Sequence, residues 1–264
     1  MRIFSKRRGK GIDDDAAWMR LIPILCLLTL AGLWQMAVTM RLFPVQVLVP
    51  PSVVAQTFAS LWASGDLQRH LSFSLSRLFL GFGFGSAAGL ALGAAMGLWQ
   101  PVRRIFQPTF DAVRYVPVIT FIPLLILFFD VEELFKVVVV SLATFFPVAI
   151  ATFDGVRAIP RGYFEVSALY RLPLHDLILR VVFPATVPPV LTGMRLGLTR
   201  AWLSLVAAEL LAADSGLGQM MEMGRQMFRI DVVMVGVILA GTIGFLLDRG
   251  MQFAEARLLG WRHA

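Results

Sequence analysis

The sequence predicts an all-α integral membrane protein with six transmembrane helices. Three observations lead there. Of 264 residues, 58% are hydrophobic and only 16% are charged. Average soluble domains hold about 45–50% apolar and about 25% charged residues, so lipid must be part of this chain's solvent. Six segments also meet or approach the roughly 20 apolar residues that a bilayer core requires: Leu21–Met40, Ser72–Trp99, Pro108–Phe129, Glu133–Phe153, Pro184–Leu211 and Val232–Phe253. Finally, the basic residues are distributed unequally between alternate loops.

The first element is a basic tail over residues 1–20, opening "MRIFSKRRGKG". It resembles the start of a signal peptide, but the apolar run over 21–40 is long for a signal core and no small-residue cleavage site follows it. An uncleaved first helix is the expectation. Residues 41–71 form a segment on the opposite side of the membrane, and 72–264 form a core of five further helices. Counting Lys and Arg with the amino terminus inside gives fifteen on the inner side and six on the outer, with Arg114, Arg195 and Arg200 inside spans. This bias places both termini in the cytoplasm. The net charge of +7 follows membrane orientation and not a nucleic-acid face. Pro117, Pro123, Pro147, Pro188 and Pro189 interrupt the spans, which membrane helices tolerate when neighbours satisfy the freed backbone groups.

In the second span, Gly81, Gly85, Gly89, Gly93 and Gly97 recur every four residues along one helix face. Small residues at this spacing let two backbones approach closely in lipid. A tight crossing within the chain is expected, with a dimer interface or a moving path wall as alternatives.

Several chemistries are excluded. There is no G-x-x-x-x-G-K-[ST] phosphate loop, and a glycine period of four is wrong for G-x-G-x-x-G. H-E-x-x-H and G-x-S-x-G are absent, and His70, His175 and His263 lie far apart. One cysteine, Cys26, allows no internal disulfide and no Cys-rich metal site. No catalytic residue, metal site or bound cofactor is expected, which leaves solute passage.

The largest inner loop, about 155–183, holds "EVSALYRLPLHDLILRVVFP" from Glu165 to Pro184. After Pro173, residues Leu174, Leu177, Ile178, Val181 and Val182 fall on one helix face, while His175, Asp176 and Arg180 lie off it. Before it, Phe164, Ala168 and Leu172 line another short helix. Pro173 biases Leu172 away from helix, so a bend belongs there. The pattern fits either an inert interfacial hairpin or a docking site for a soluble partner.

This stretch resembles the cytoplasmic "EAA" loop of bacterial ABC-importer permeases, which has a Glu-led short helix, a Gly six residues on and a Pro thirteen beyond. Glu165, position 171 and Pro184 match that spacing. "LVPPSVVAQTFASL", "RYVPVITFIPLLILFF", "KVVVVSLATFFPVAIATFDGVRAIP" and "TGMRLGLTRAWLSLVAAELLAADSGLG" extend the likeness to the nitrate/sulfonate/taurine/bicarbonate branch.

The resemblance implies a type I ABC-importer permease fold in the bacterial inner membrane. It also implies a homodimer, two cytoplasmic ATPase subunits that carry ATP and Mg, and a periplasmic or lipid-anchored solute-binding protein. A cytoplasmic coupling helix pair would dock on each ATPase, with Glu165, Ser167, Ala168, Arg171 and Leu172 touching or framing its cleft. Two departures stand out. Arg171 replaces a glycine suited to a left-handed turn, so Leu172-Pro173 is expected to make the break instead. Asp130 and Glu132 replace glycines of the outer turn.

Arg114, Arg195 and Arg200, with Glu209, are candidate lining for the substrate path, because intramembrane charges face a cavity or a partner. The competing reading pairs the arginines with Glu209, carbonyls or headgroups. An organosulfonate such as taurine is the leading substrate expectation. A stand-alone carrier or channel is the alternative function, although carriers often show internal repeats and the halves of this chain show no convincing one.

Overall fold

The computed structural model describes residues 48–259, together with 22, 25, 26, 29–40 and 42. Regular structure among them is helical throughout. The expected tail over 1–20, part of the start of the first span and the last five residues lie outside the described residues.

The chain is helical over residues 29–39 (α1). There follow α2 (Pro51–Ser64), α3 (Asp66–Leu98), α4 (Gln100–Val113), a 3-10 turn (Val118–Phe121), α5 (Ile122–Phe129) and α6 (Glu133–Arg157). Then come α7 (Arg161–Leu169), α8 (Leu174–Leu177), a π turn (Ile178–Val182), α9 (Phe183–Leu211), α10 (Leu217–Gln226) and α11 (Ile230–Leu258). The segment between the first two expected spans therefore contains α2, and its last residues already belong to α3. α2 starts on Pro51, whose fixed φ suits the first helical turn, and ends on Gly65 at φ 83°.

Among the described residues, four helices are long and apolar enough to cross a bilayer: α3, α6, the run Leu174–Leu211 and α11. A fifth crossing is available from α4 with α5, which are bent by 89° at their break. The third expected span, Pro108–Phe129, is thus not one helix. Pro117 sits in extended backbone at the break, and a proline there biases its predecessor out of the helical region.

α6 is the centre of the bundle. Half of its apolar window (50%) is buried inside the chain, against 33% for α3 and 17% for each of the other two. α3 covers one side of α6 along its glycine stripe. A Cβ on Gly81 would meet Val140 Cβ at 2.5 Å, one on Gly89 the Phe145 carbonyl at 2.8 Å, and one on Gly97 Val156 Cβ at 2.7 Å. Gly85 and Gly93 lie equally close to the Ser141 and Ala149 carbonyls. α9 covers another side, where Gly193 and Gly197 meet Ala151, Pro147 and Thr144, and Gly155 of α6 meets Pro189. α11 joins α9 through the Trp202 indole, whose Nε1 donates to the Ala240 carbonyl at 2.9 Å. The low internal burial of α9 and α11 leaves much of both to lipid or to another chain.

Candidate functional site

At one end of the bundle, α7 stands out from the tips of α6 and α9. It is short because Pro160 precedes it and the bend over 170–173 ends it. Its last turn closes as a Schellman motif. Leu172 N–H donates to the Ser167 carbonyl at 3.0 Å, and Arg171 N–H donates to the Ala168 carbonyl at 3.0 Å. The residue between helix and exit in this motif is left-handed, and Arg171 takes that conformation at φ 48°. The expectation that Leu172-Pro173 would spare Arg171 this backbone is therefore corrected. The two hydrogen bonds fix the turn whatever side chain it carries, and Pro173, at φ −63° and ψ 153°, only starts the next segment.

The part after Pro173 also differs from a separate surface helix. α8 runs through the π turn into α9, giving a helical run of 38 residues. The π turn precedes Pro184, which has no N–H to donate back to Arg180, so the backbone widens where the ladder is broken. Val182 is buried with Val156 and Ile159, and Leu177, Val181 and Phe164 pack on that cluster. α7 is thereby tied to the ends of both α6 and α9.

The loop residues divide by exposure. Glu165, Ala168, Arg171 and Leu172 are exposed, and Ser167 is buried with its hydroxyl donating to the Tyr163 carbonyl at 2.7 Å. Leu169 (81% exposed) and Tyr170 (74%), which the sequence reading did not single out, form an apolar knob beside Glu165. Beneath it, a cavity of about 670 Å³ opens between α6, α7 and α9, lined by Tyr163, Arg180, Pro184, Pro188 and Pro189 among others.

The opposite end holds a cluster that the sequence reading missed. Arg77 of α3 is 2% exposed. Its Nη1 donates to Glu209 Oε1 at 2.8 Å and to the Ser215 carbonyl at 2.6 Å. Its Nε donates to Glu133 Oε2 at 2.5 Å. Glu209 is 1% exposed and also accepts from Ser74 Oγ and from Gly218 N–H at 3.0 Å. Ser74 Oγ in turn accepts from Leu217 N–H at 2.8 Å. Ser74 Oγ and the carboxylate thus cap the first two amides of α10, where a negative charge is favoured. Gly216, at φ 116°, lies so close to this carboxylate that no larger residue would leave it in place. Buried Lys136 shares Glu133 at 3.3 Å. One arginine therefore pins α3, α6, α9 and the turn into α10.

The candidate path residues separate. Glu209 is enclosed in the Arg77 cluster and opens on no path. Arg195 makes a two-point bridge to Asp248 of α11, Nε to Oδ1 at 2.5 Å and Nη2 to Oδ2 at 3.1 Å, with both side chains about one-third exposed. Arg114 lies against Asp111 at 3.1 Å and over the Tyr115 ring. Arg200 is exposed on α9 and has no ion pair among the described residues. None of the three arginines pairs with Glu209. In the turn between α5 and α6, Asp130 sits at φ 57° and ψ −174°, a region that is essentially glycine's.

Comparison with known proteins agrees with this architecture. The chain is 35% identical over 249 residues to a Bacillus subtilis (strain 168) permease named for aliphatic sulfonates transport, covering 94% of this chain and 89% of that protein. It is 32% identical over 245 residues to the taurine transport system permease protein TauC of Escherichia coli (strain K12), covering 91% and 89%. It is 29% identical to the nitrate import permease protein NrtB of Synechocystis sp., covering 81% and 78%. Among solved structures, a chain of the inward-facing MetNI methionine ABC transporter matches with TM-score 0.58 at 20% identity, over 72% of this chain and 96% of that one. A chain of an amino acid ABC transporter crystallised with histidines matches with TM-score 0.60 at 15% identity, over 77% and 96%. At those identities the two structures bear on the fold alone, which is that of ABC-importer permeases. The family described as "binding-protein-dependent transport system inner membrane component" matches residues 81–260, and with relatives this similar along nearly its whole length, the chain belongs to that family.

Proposed function

We propose that this chain, as a homodimer in the bacterial inner membrane with both termini cytoplasmic, forms the path of an ATP-driven importer for a small organosulfonate. A solute-binding protein delivers the solute on the outer side. Two separate ATPase subunits dock on the α7 ends and supply the ATP and Mg chemistry, for which this chain carries no motif.

The observation that carries this reading is the construction of α7. Its outer face offers Glu165, Ala168, Leu169 and Tyr170 to water, while its inner face is tied to the ends of α6 and α9 through Phe164 and the cluster of Val156, Ile159 and Val182. A knob exposed on one side and rooted in two membrane helices on the other transmits movement from a soluble subunit into the bundle. Arg171 and Leu172 close and frame the knob. On the path side, Arg200 leaves a cation exposed along α9, which lipid disfavours and a water-filled path accommodates. Such a path attracts anions, which fits a sulfonate. Arg195, held by Asp248, and Arg114, held by Asp111, supply weaker fields.

The test is uptake into vesicles reconstituted with this chain, an ATPase subunit and a binding protein. ATP-dependent accumulation of taurine or an alkanesulfonate is expected, and Arg200→Gln is expected to lower the rate. Accumulation that proceeds equally without ATP would favour a stand-alone carrier and overturn the reading.

A further inference from the structure

Two five-residue stretches of this chain are near copies of each other. They are Phe110-Asp111-Ala112-Val113-Arg114, where α4 ends, and Phe153-Asp154-Gly155-Val156-Arg157, where α6 ends. The fold brings both to one cavity of about 270 Å³, whose polar lining is Gln107, Asp111, Arg114, Asp154 and Arg157. In each copy the acid and the arginine are three residues apart and so share a helix face.

The two copies are not equally satisfied. In α4, Arg114 Nε lies 3.1 Å from Asp111 Oδ1, yet this N–H is buried without a well-aligned acceptor. In α6, Asp154 and Arg157 are exposed at the cavity mouth and have no ion-pair partner among the described residues, and the Arg157 guanidinium lies over the ring of Phe153, 5.5 Å from its centroid. The cavity thus presents a carboxylate and a guanidinium with unused capacity, and a buried donor in its wall.

Formal charge at the cavity cancels, two carboxylates against two guanidiniums. A plain anion would gain the arginines and meet both aspartates, and a plain cation would meet the reverse. A molecule carrying both charges satisfies both sets and is the one the arrangement does not repel. The volume is below the roughly 300–1,000 Å³ of pockets for drug-sized ligands, which suits a small occupant.

We propose that this cavity binds a small zwitterion, its anionic group held by Arg114 and Arg157 and its ammonium group by Asp154. The choice of a sulfonate as the anionic end rests on the import reading above, whereas the need for both charges rests on the cavity alone. Arg157 ends α6 four residues before α7 begins, so an occupant would load the helix that carries the α7 knob.

The experiment is isothermal titration of the full chain in phosphatidylglycerol nanodiscs, without binding protein, using taurine, ethanesulfonate and ethylamine. Taurine is expected to bind, and each half-molecule to bind about tenfold more weakly, the scale of one lost charge-assisted contact. Asp154→Asn is expected to weaken taurine by about tenfold while leaving ethanesulfonate unchanged or tighter, an inversion that a misfolded chain does not produce. Arg157→Gln is expected to weaken both sulfonates.

The proposal is overturned if taurine shows no binding at concentrations on the order of 10 mM. It is equally overturned if ethanesulfonate binds as well as taurine, or if Asp154→Asn weakens both alike. Loss of taurine binding in phosphatidylethanolamine discs, restored by removing that lipid, would assign the cavity to a headgroup and overturn the free-solute proposal. Taurine binding here with no ATP-driven uptake in the vesicle test would leave this site standing and overturn the import reading. Uptake without binding here would do the opposite.

Discussion

Arg77 reaches its two carboxylates across 56 and 132 residues of sequence, and no local pattern announces the meeting. Read along the chain, it is one more basic residue near the start of a span. Among the described residues it is the only guanidinium bound to Glu209, a carboxylate that is 1% exposed. Removing one partner of such a pair leaves an unpaired buried charge, at a cost of about 3–5 kcal/mol, while replacing both by apolar residues can be nearly neutral. Arg77→Met is therefore expected to lower the melting temperature of the purified chain sharply, and Arg77→Met with Glu209→Leu to recover much of the loss. A double variant no better than the single one would show that the cluster is not an isolated pair of charges. Backbone strain gives the second residue-level expectation. Arg171 and Asp130 hold positive φ at positions where the resemblance calls for glycine. A non-glycine residue held in such a sparsely populated region costs about 1–3 kcal/mol, so Arg171→Gly and Asp130→Gly are each expected to raise the melting temperature slightly. Arg171→Val should lower it, because a β-branched residue fits that turn worse. Equal melting of Arg171→Gly and Arg171→Val would remove the strain argument.

Among the elements, α3 and α6 make the crossing on which the rest is assembled. The five stripe glycines of α3, Gly81, Gly85, Gly89, Gly93 and Gly97, leave no room for a side chain against α6. Gly89→Leu is expected to wedge the pair apart and cost about 1–3 kcal/mol, the usual price of overpacking, while Leu90→Ala, off that stripe, is milder. Equal thermal stability of the two variants in detergent would contradict this packing. The stripe was legible because a period of four survives in sequence without any knowledge of the partner. The bend between α4 and α5 was not. Pro117 was visible, but a proline within an apolar run is compatible with a kink, a break or nothing more, and the 89° turn is decided by what α4 packs against, Met96, Phe146 and Ala149. The fusion of α8 with α9 was hidden for a similar reason. Pro173 and Pro184 both suggest interruption, and a π turn carries the helix past the second of them.

For the whole molecule, membrane class, helical architecture and family follow from composition, apolar runs and motif order, which are properties of the chain itself. The assembly of the candidate sites does not, since Arg77 with Glu209 and Arg195 with Asp248 depend on which helix faces meet. The orientation is testable by labelling. In a Cys26→Ser background, Ser64→Cys is expected to react with a membrane-impermeant thiol reagent from outside intact cells, and Leu169→Cys only after lysis. Leu169 suits this purpose because it is 81% exposed, whereas Ser167 is buried. Labelling of position 169 from outside would invert the proposed topology.

If α7 is a docking knob rooted in the bundle, its two faces fail in different ways. The measurement is co-purification of the ATPase subunit with variants of this chain. Glu165→Arg and Ala168→Glu, on the exposed face, are expected to insert and dimerise normally yet retain little ATPase. Leu177→Asp, half-buried against the apolar cluster of Val156, Ile159 and Val182, is expected to lose folded protein instead, since it places a carboxylate without a partner against apolar surface. Wild-type ATPase retention by both Glu165→Arg and Ala168→Glu would contradict the account and leave α7 an inert interfacial hairpin.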